Sequence, residues 1–413
     1  MNINFLRVLG PGILFAGAAI GTSHLVQSTR AGALYGLAFF SLIIFANFIK
    51  YPIFRFGPLY TAQTGSSILH GYRSLGSWAL VLLIVTELPV NIIIIAVTAL
   101  VTAGITLHVF NLDIQAGYLA CLFILIALGL ISSGGYKLID YLVKWFVAVL
   151  SICTLIATAL TVPLIDWSIE SLSLPDFDAK TLAFALALLG FMPAGTSLAI
   201  MHSIWSVEKS KQLKQTISPK AAMLDLNVGY LGSVAMALCF LIMGAGTFGQ
   251  HGTELARSPS EFSGQVIQLY STTLGNWVGQ IVGVSVFAVM MSTLLTTIDG
   301  FARLQKEAIS ELISEHSPNN NKLSQDWAHP LAMAILSLGA MVVLLNFISS
   351  FKAFIDFVTI TAFITGPVIA ILNHCVMHGS TVPIESRPSK VMTAWSLAGI
   401  VFLVSLSGVY LLS

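Results

Sequence analysis

Two clusters of small and polar residues interrupt long apolar stretches of the chain, and both could supply groups that bind an ion or a small solute. The clusters are Gly21, Thr22, Ser23 and His24, and then Met192, Pro193, Ala194, Gly195, Thr196 and Ser197. Both contain the tripeptide Gly-Thr-Ser. Paired Gly/Pro interruptions at corresponding places in two halves of a chain indicate the midplane binding site of a transporter. We therefore predict that the two clusters form one substrate site.

Two side chains of these clusters are candidate metal ligands. The neutral imidazole of His24 could ligate a metal, and the same ring could carry a proton near neutral pH. The thioether of Met192 is a soft ligand that favours transition metals over calcium or magnesium. The alternative is structural: a histidine hydrogen-bonded to a neighbouring helix and a methionine that only packs.

Further polar residues inside apolar segments are candidates for proton or ion coupling, because polar groups at membrane depth are costly. They are Glu87, Asn91, His202, Thr296 and Thr297. Each also has a structural interpretation, since hydrogen bonds between Ser, Thr or Asn side chains and neighbouring helices are common in membranes.

The composition predicts a membrane protein. Hydrophobic residues make up 56% of the 413 positions and charged residues only 9%, whereas soluble domains carry about 25% charged residues. The four cysteines lack the spacing of a zinc site, and we expect neither a cofactor nor a cleaved signal peptide. No phosphate-binding loop, catalytic triad or nucleic-acid-binding patch is present in the sequence, so we do not expect an enzyme or a nucleic-acid partner.

Eleven stretches are long and apolar enough to cross about 30 Å of hydrocarbon as helices. They are Val8–Ala33, Leu37–Phe56, Ala79–Ile105, Tyr118–Ile131, Leu138–Pro163, Leu182–Trp205, Val228–Phe248, Val278–Ile298, Leu331–Phe347, Phe354–Leu372 and Ala394–Leu412. The segments between them are too short for a separate soluble domain, so we predict one membrane domain.

The distribution of positive charge predicts the orientation. With the N-terminus in the cytoplasm, fifteen of the nineteen Lys and Arg residues fall on the cytoplasmic side, as expected for helices in an inner membrane. Only Arg30, Lys180, Arg257 and Lys352 fall outside, and the C-terminus lies outside as well. The compact loops are typical of a bacterial protein.

Spans one to five and six to ten can form two halves of opposite orientation, each with a first helix broken at its centre. This is the pattern of LeuT-type transporters, with five-plus-five inverted repeats. We predict an all-α membrane protein with repeat one at about residues 8–163, repeat two at about 182–372 and an accessory helix at about 394–412.

Several motifs resemble the Nramp family of divalent-metal transporters. The stretch GPGILFAGAAIGTSHLVQSTRAGA is similar to that family's first helix, GGYKLIDYLVKWFVAVL to its fifth and LDLNVGYLGSVAMALCFLIMGA to its seventh. Met192-Pro193 resembles the start of the family's Met-Pro-His motif in helix six. The resemblance covers most of the chain and implies the LeuT-type fold and transport of a divalent metal.

The metal-binding positions depart from that family. Its Asp-Pro-Gly-Asn motif falls on Gly21, Thr22, Ser23 and His24, and the histidine of Met-Pro-His falls on Ala194. Glu87 could match a family glutamate, but two further acidic positions hold Ile94 and Val97. Without the aspartate, a hard dication would bind poorly unless many oxygen dipoles replaced it.

Two hypotheses for the transported substrate follow. The first is a secondary transporter of a divalent transition metal of the manganese or iron type, bound by His24, Met192 and nearby carbonyls. The second keeps the fold but changes the substrate to a monovalent cation or a small organic solute, coupled to sodium or protons. A sensor without transport is a third, weaker alternative, and the oligomeric state stays open.

Overall fold

The computed structural model describes residues 9–21, 23–133, 136–248, 258–313, 327–346 and 351–412. Within these ranges the regular elements are helices, without a strand. The first half contains α1 (Pro11–Ala19), a π-helix (Ser23–Ser28), α2 (Thr29–Tyr35), α3 (Phe40–Thr64), α4 (Ile68–Leu75), α5 (Ser77–Val109), α6 (Ala116–Ser132) and α7 (Tyr136–Thr161). The second half contains α8 (Ala179–Phe191), α9 (Ser197–Leu213), α10 (Pro219–Phe248), α11 (Pro259–Leu274), α12 (Val278–Ile313), α13 (Ala328–Asn346), α14 (Phe351–Ile364), α15 (Gly366–His378) and α16 (Lys390–Leu412).

Seven helical stretches within the described residues are long and apolar enough to cross a membrane. They are α3, α5, α10, α12, α13, α16 and the run Ala353–His378 formed by α14 and α15. The helices α6 and α7, together with the two interrupted stretches α1–α2 and α8–α9, account for the remaining predicted spans. The predicted helical membrane architecture is therefore confirmed.

The helix boundaries differ from the sequence predictions in three places. The connection predicted at 249–276 contains α11, and the loop after α3 contains α4. Both helices are short and carry many polar residues, so they lack the long apolar run by which spans are found. The tenth span is divided at Thr365, which precedes Gly366 and Pro367. A proline there cannot donate to the preceding turn, which explains the division.

Glycine pairs let the first and seventh spans cross at close range. A Cβ at Gly12 would lie 1.9 Å from the Asp225 carbonyl oxygen, and one at Gly229 would lie 2.0 Å from the Gly12 carbonyl oxygen. Small residues at helix contacts allow this approach of two backbones in membrane proteins. The crossing places α1 against α10, and α1 also contacts α9 and α12. The central helices α5 and α12 pack along each other.

We call the end of the molecule where α1 begins the inner end, following the predicted orientation, and the opposite end the outer end. The helix breaks lie between these two ends, at the depth where α5 and α12 pass each other. This arrangement places the interrupted backbone in the protein interior, as required for unpaired backbone groups at membrane depth.

Candidate functional site

The first break separates α1 from the π-helix. Ile20 leaves the helical conformation with φ −77° and ψ 63°, and the π-helix begins at Ser23. Gly21 lies against α12, because a Cβ there would be 3.3 Å from the Thr293 methyl carbon. Thr22 and the side chain of Ser23 lie outside the described residues. π-Helical turns often occur at functional sites, which agrees with a site at this break.

The second break separates α8 from α9. Met192 is extended (φ −73°, ψ 139°), and Pro193 has no N–H with which to continue the helix. The helix resumes after Gly195 and Thr196, whose carbonyls accept hydrogen bonds from the amides of Leu198 and Ala199 at 3.0 Å each. The sequence therefore frees backbone groups at the predicted place.

A small cavity of about 30 Å³ lies between the second break, α1, α5 and α12. Its size suits one or two water molecules or a small ion. The residues that line it are Ala18, Ile94, Thr98, Phe191, Ala194, Gly195, Ser197, Leu198, Thr293, Thr297 and Phe301. The structure thus brings four predicted site residues together, and these are Ala194, Gly195, Ser197 and Thr297. Thr98 and Thr293 were not among the predicted site residues, because the sequence does not show which threonines of an apolar helix face a cavity.

The threonine hydroxyls at this cavity use their protons in hydrogen bonds to backbone carbonyls. Thr98 donates to the Ile94 carbonyl at 2.8 Å, and Thr297 donates to the Thr293 carbonyl at 2.8 Å. Thr293 lies within hydrogen-bonding distance of the Val289 carbonyl on its own helix, at 3.0 Å, and of the Gly17 carbonyl on α1, at 3.1 Å. A hydroxyl has one proton and two lone pairs. The cavity therefore presents oxygen lone pairs, which suit a cation or a hydrogen-bond donor.

A larger vestibule of about 440 Å³ lies at the inner end between α1, α9 and α12. Thr296 lines it, one residue away from Thr297 of the cavity, together with Asp299 and Arg303. The guanidinium of Arg303 donates to the Asp299 carboxylate at 2.7 Å. Thr296 and Thr297, which were predicted together, therefore line two different spaces along the same helix.

Glu87 and Asn91 lie on the face of α5 that also carries Thr98. The Glu87 carboxyl is within hydrogen-bonding range of the hydroxyls of Ser197 and Thr365. Asn91 is fully buried, and neither atom of its amide has a partner within the described residues. Buried polar groups normally find partners, so this amide marks a place that a ligand or water can occupy. Thr196, which is buried at the second break, also has a hydroxyl without a partner among the described residues.

The two predicted metal ligands do not line the cavity. The His24 ring is fully buried and lies within hydrogen-bonding range of the backbone of Ala19 and Ser233. Because Ser233 belongs to α10, the ring faces α10. Met192 packs in an apolar cluster with Phe39 and Phe184. Within the described residues, no group of three His, Cys, Asp or Glu side chains could hold a metal ion. Joint metal binding by His24 and Met192 stays a prediction, although their side chains face different neighbours.

His202 is near an acid that the sequence analysis did not single out. Its Nε2 lies 3.5 Å from the Asp225 carboxylate, and both side chains are buried. Asp225 also accepts hydrogen bonds from the amides of Gly10 at 3.0 Å and Gly12 at 2.7 Å. A carboxylate is favourable at the positive N-terminal end of a helix, so Asp225 holds the start of α1 against α10.

Comparisons with known proteins agree with this architecture. The family model "Natural resistance-associated macrophage protein-like" (Nramp) matches residues 12–413. The chain belongs to the Nramp family. A relative from Pasteurella multocida (strain Pm70), named "Uncharacterized protein PM0681", is 30% identical over 406 residues, covering 96% of this chain and 90% of the relative.

Solved structures show that this Nramp chain has the predicted LeuT-type fold. A manganese transporter of Eremococcus coleocola superposes with a TM-score of 0.73 at 12% identity, covering 98% of this chain and 85% of that one. The structure of MhsT in complex with L-phenylalanine superposes with a TM-score of 0.62 at 15% identity, covering 96% of this chain and 98% of that one. The chain is accordingly an integral membrane transporter and not an enzyme.

Proposed function

We propose that this chain is an alternating-access secondary transporter of a small inorganic cation, with a divalent metal of the manganese type as its first candidate substrate. The observation that carries this proposal is the set of Thr98, Thr293 and Thr297 hydroxyls, whose protons are used by backbone carbonyls. Their lone pairs can meet a cation, but they offer an anion no hydrogen-bond donor.

The ligand chemistry favours a hard cation. Hydroxyl and carbonyl oxygens suit Mn²⁺, Mg²⁺ or alkali ions better than soft metals. The manganese transporter of Eremococcus coleocola shares the fold, and this supports Mn²⁺ as the first ion to test. His24 and Met192 remain predicted ligands, and a rotation of either side chain would be needed before it reached the cavity.

Charge compensation is assigned to Glu87. No carboxylate lines the cavity within the described residues, but Ser197, which lines it, is within hydrogen-bonding range of the Glu87 carboxyl. A cation that leaves water needs a nearby negative charge or many dipoles. A carboxyl that must be charged while the cation is bound can take up a proton when the cation leaves. Glu87, with Asn91 one turn away and His202 at the inner end, is therefore our candidate for proton coupling. We also propose a bacterial inner-membrane location with a cytoplasmic N-terminus, on the basis of the Lys and Arg bias.

The test is uptake of Mn²⁺, and separately of Na⁺ and Li⁺, into proteoliposomes containing the purified protein. Thr98→Val should raise the ion concentration needed for half-maximal uptake about tenfold or more, because one oxygen ligand to the ion is lost. Thr86→Val is the matched control, since Thr86 makes the same bond to its own helix, 2.8 Å to the Leu82 carbonyl, on an exposed face. Equal effects of the two substitutions would contradict the proposed site.

A second candidate substrate is a small polar organic solute with a hydrogen-bond donor, which would require the cavity of about 30 Å³ to widen, since that volume holds only one or two water molecules. It is favoured by the absence of a carboxylate among the described residues that line the cavity. The structure of MhsT in complex with L-phenylalanine belongs to the same fold. Folded protein that moves no inorganic cation would exclude the first proposal and direct screening to neutral and zwitterionic solutes.

A further inference from the structure

Lys50 is a fully buried lysine in the middle of α3. Its ammonium donates hydrogen bonds to the carbonyl oxygens of Leu189 at 2.6 Å and Gly190 at 3.1 Å. Both carbonyls belong to the last turn of α8, immediately before the second helix break. Lys50 therefore connects the third helix of the chain to the interrupted one.

The break explains why these two carbonyls are available. In a continuous helix each carbonyl accepts from the amide four residues later. Leu188 still does so, because the Met192 amide donates to it at 3.1 Å. The partner of Leu189 would be Pro193, which has no N–H, and the partner of Gly190 would be Ala194, which lies beyond the end of the helix. The Lys50 ammonium supplies the donors that the backbone lacks.

The charge of Lys50 matters as well as its protons. The carbonyl end of a helix carries partial negative charge and attracts cations, and in broken transporter helices such ends can coordinate coupling ions. Within the described residues no carboxylate pairs with Lys50. A buried ammonium is costly in a membrane, whereas a hydroxyl or amide donor could cap a carbonyl without that cost.

We propose that Lys50 is a tethered cation that occupies the carbonyl end of α8 in place of a soluble ion. It is then a specificity-determining residue, because it excludes free cations from this end of the break and confines the substrate to the cavity beyond Phe191. This inference rests on the proposed cation transport only for its functional consequence, since the occupancy itself can be measured in the absence of flux.

Chemical replacement of the side chain tests the proposal. Lys50→Ala removes the equivalent of a propylammonium group. Thermal unfolding of the purified full-length protein in detergent is measured with propylammonium chloride, with 1-propanol and with N-methyl-D-glucamine chloride at equal ionic strength. We expect propylammonium, and not the alcohol, to raise the unfolding temperature of Lys50→Ala in a saturable way, as a ligand of the native state does. The wild type should show no such difference.

Two further variants keep the test decisive. Lys50→Met keeps the apolar stem without the charge, and we expect it to lower uptake about tenfold or more, whereas Lys50→Arg should retain uptake. Lys220→Ala is the matched control, because Lys220 is exposed at the inner end of α10, and it should show no response specific to propylammonium.

The outcomes separate this inference from the proposed function. Equal responses of Lys50→Ala to propylammonium and 1-propanol, or wild-type uptake by Lys50→Met, would overturn the tethered cation. If Lys50→Ala does not fold without additives, recovery of folded protein during expression with propylammonium, but not with propanol, supports the proposal, and no recovery with either overturns it. If propylammonium specifically stabilises Lys50→Ala but the wild type moves no inorganic cation, the proposed cation transport is rejected and the tethered cation is retained.

Discussion

The Arg30 guanidinium lies 2.6 Å from the Asp356 carboxylate at the outer end of the molecule. Its central carbon also lies 4.7 Å from the centre of the Phe184 ring. These contacts join α2, which follows the first break, and α8, which precedes the second break, to α14. The inner end instead contains the vestibule of about 440 Å³. We therefore predict that this ion pair holds the outer end closed in the equilibrium between inner and outer opening.

We expect Asp356→Asn to shift this equilibrium toward outer opening. Arg30 is 7% exposed and Asp356 33% exposed, so solvent screens part of their attraction, and a loss of about 1–2 kcal/mol, or a population change of about 5- to 30-fold, is expected. The measurement is the labelling rate of Thr98→Cys by an impermeant thiol reagent added from the outer side.

The labelling background and control follow from the structure. The native cysteines are replaced first, and these are Cys121, Cys153, Cys239 and Cys375. Asp166→Asn is the control, because the Asp166 carboxylate is exposed and, among the described residues, accepts hydrogen bonds only from the nearby Ser168. Unchanged labelling in Asp356→Asn would show that the ion pair does not hold the outer end closed.

The crossing of α1 and α10 predicts a steric effect. Gly229→Ala places a Cβ 2.0 Å from the Gly12 carbonyl oxygen, whereas Gly232→Ala on the same helix meets no atom within 4 Å. Because overpacking of a tight contact typically costs about 1–3 kcal/mol, Gly229→Ala should lower the unfolding temperature in detergent. Gly232→Ala should leave it unchanged or raise it slightly. Similar temperatures for the two variants would argue against the close crossing.

The start of α8 predicts a pH effect. The Asp178 side chain accepts a hydrogen bond from the Thr181 amide at 2.7 Å, and this bond lowers the pKa of the carboxyl below its ordinary value. A lowered folded-state pKa stabilises the protein above the unfolded-state pKa, and this contribution disappears as the pH falls through the folded-state pKa. Asp178→Ala should therefore unfold at a lower temperature than wild type at pH 6, with a smaller difference at pH 3. Asp176→Ala, at an exposed position before the helix, should show neither effect.

Sequence patterns predicted the fold well because the strongest physical constraint is local. A spanning helix needs a continuous apolar run, and Gly, Thr, Ser or Pro at its centre breaks it. Both breaks occur where Gly21 and Pro193 indicated. The search for apolar runs did not detect α4 and α11, because these helices carry many polar residues.

The site was less predictable because its geometry depends on which face of each helix points inward. Lys50 was counted with the positive charges of the inner end, but α3 continues to Thr64 and leaves Lys50 in mid-helix. Thr98 and Asp225 looked like ordinary polar residues of apolar spans. The single sequence contains no signal for the three-helix contacts that give these residues a role.

Glu87 is expected to provide the negative charge for a bound cation. Glu87→Gln keeps the size and the hydrogen-bonding capacity toward Ser197 and Thr365 but removes the charge. A nearby unit charge in a partly solvated interior contributes on the order of 1–2 kcal/mol, so Mn²⁺ affinity measured by calorimetry should fall about tenfold. Ser197→Ala should act in the same direction with a smaller effect, because the charge remains but the hydroxyl between it and the cavity is lost. Glu385→Gln, at an exposed position, is the matched control. Unchanged affinity in Glu87→Gln with normal folding would mean that the compensating charge is supplied by another group, whereas loss of affinity in both Glu variants would indicate a nonspecific surface effect.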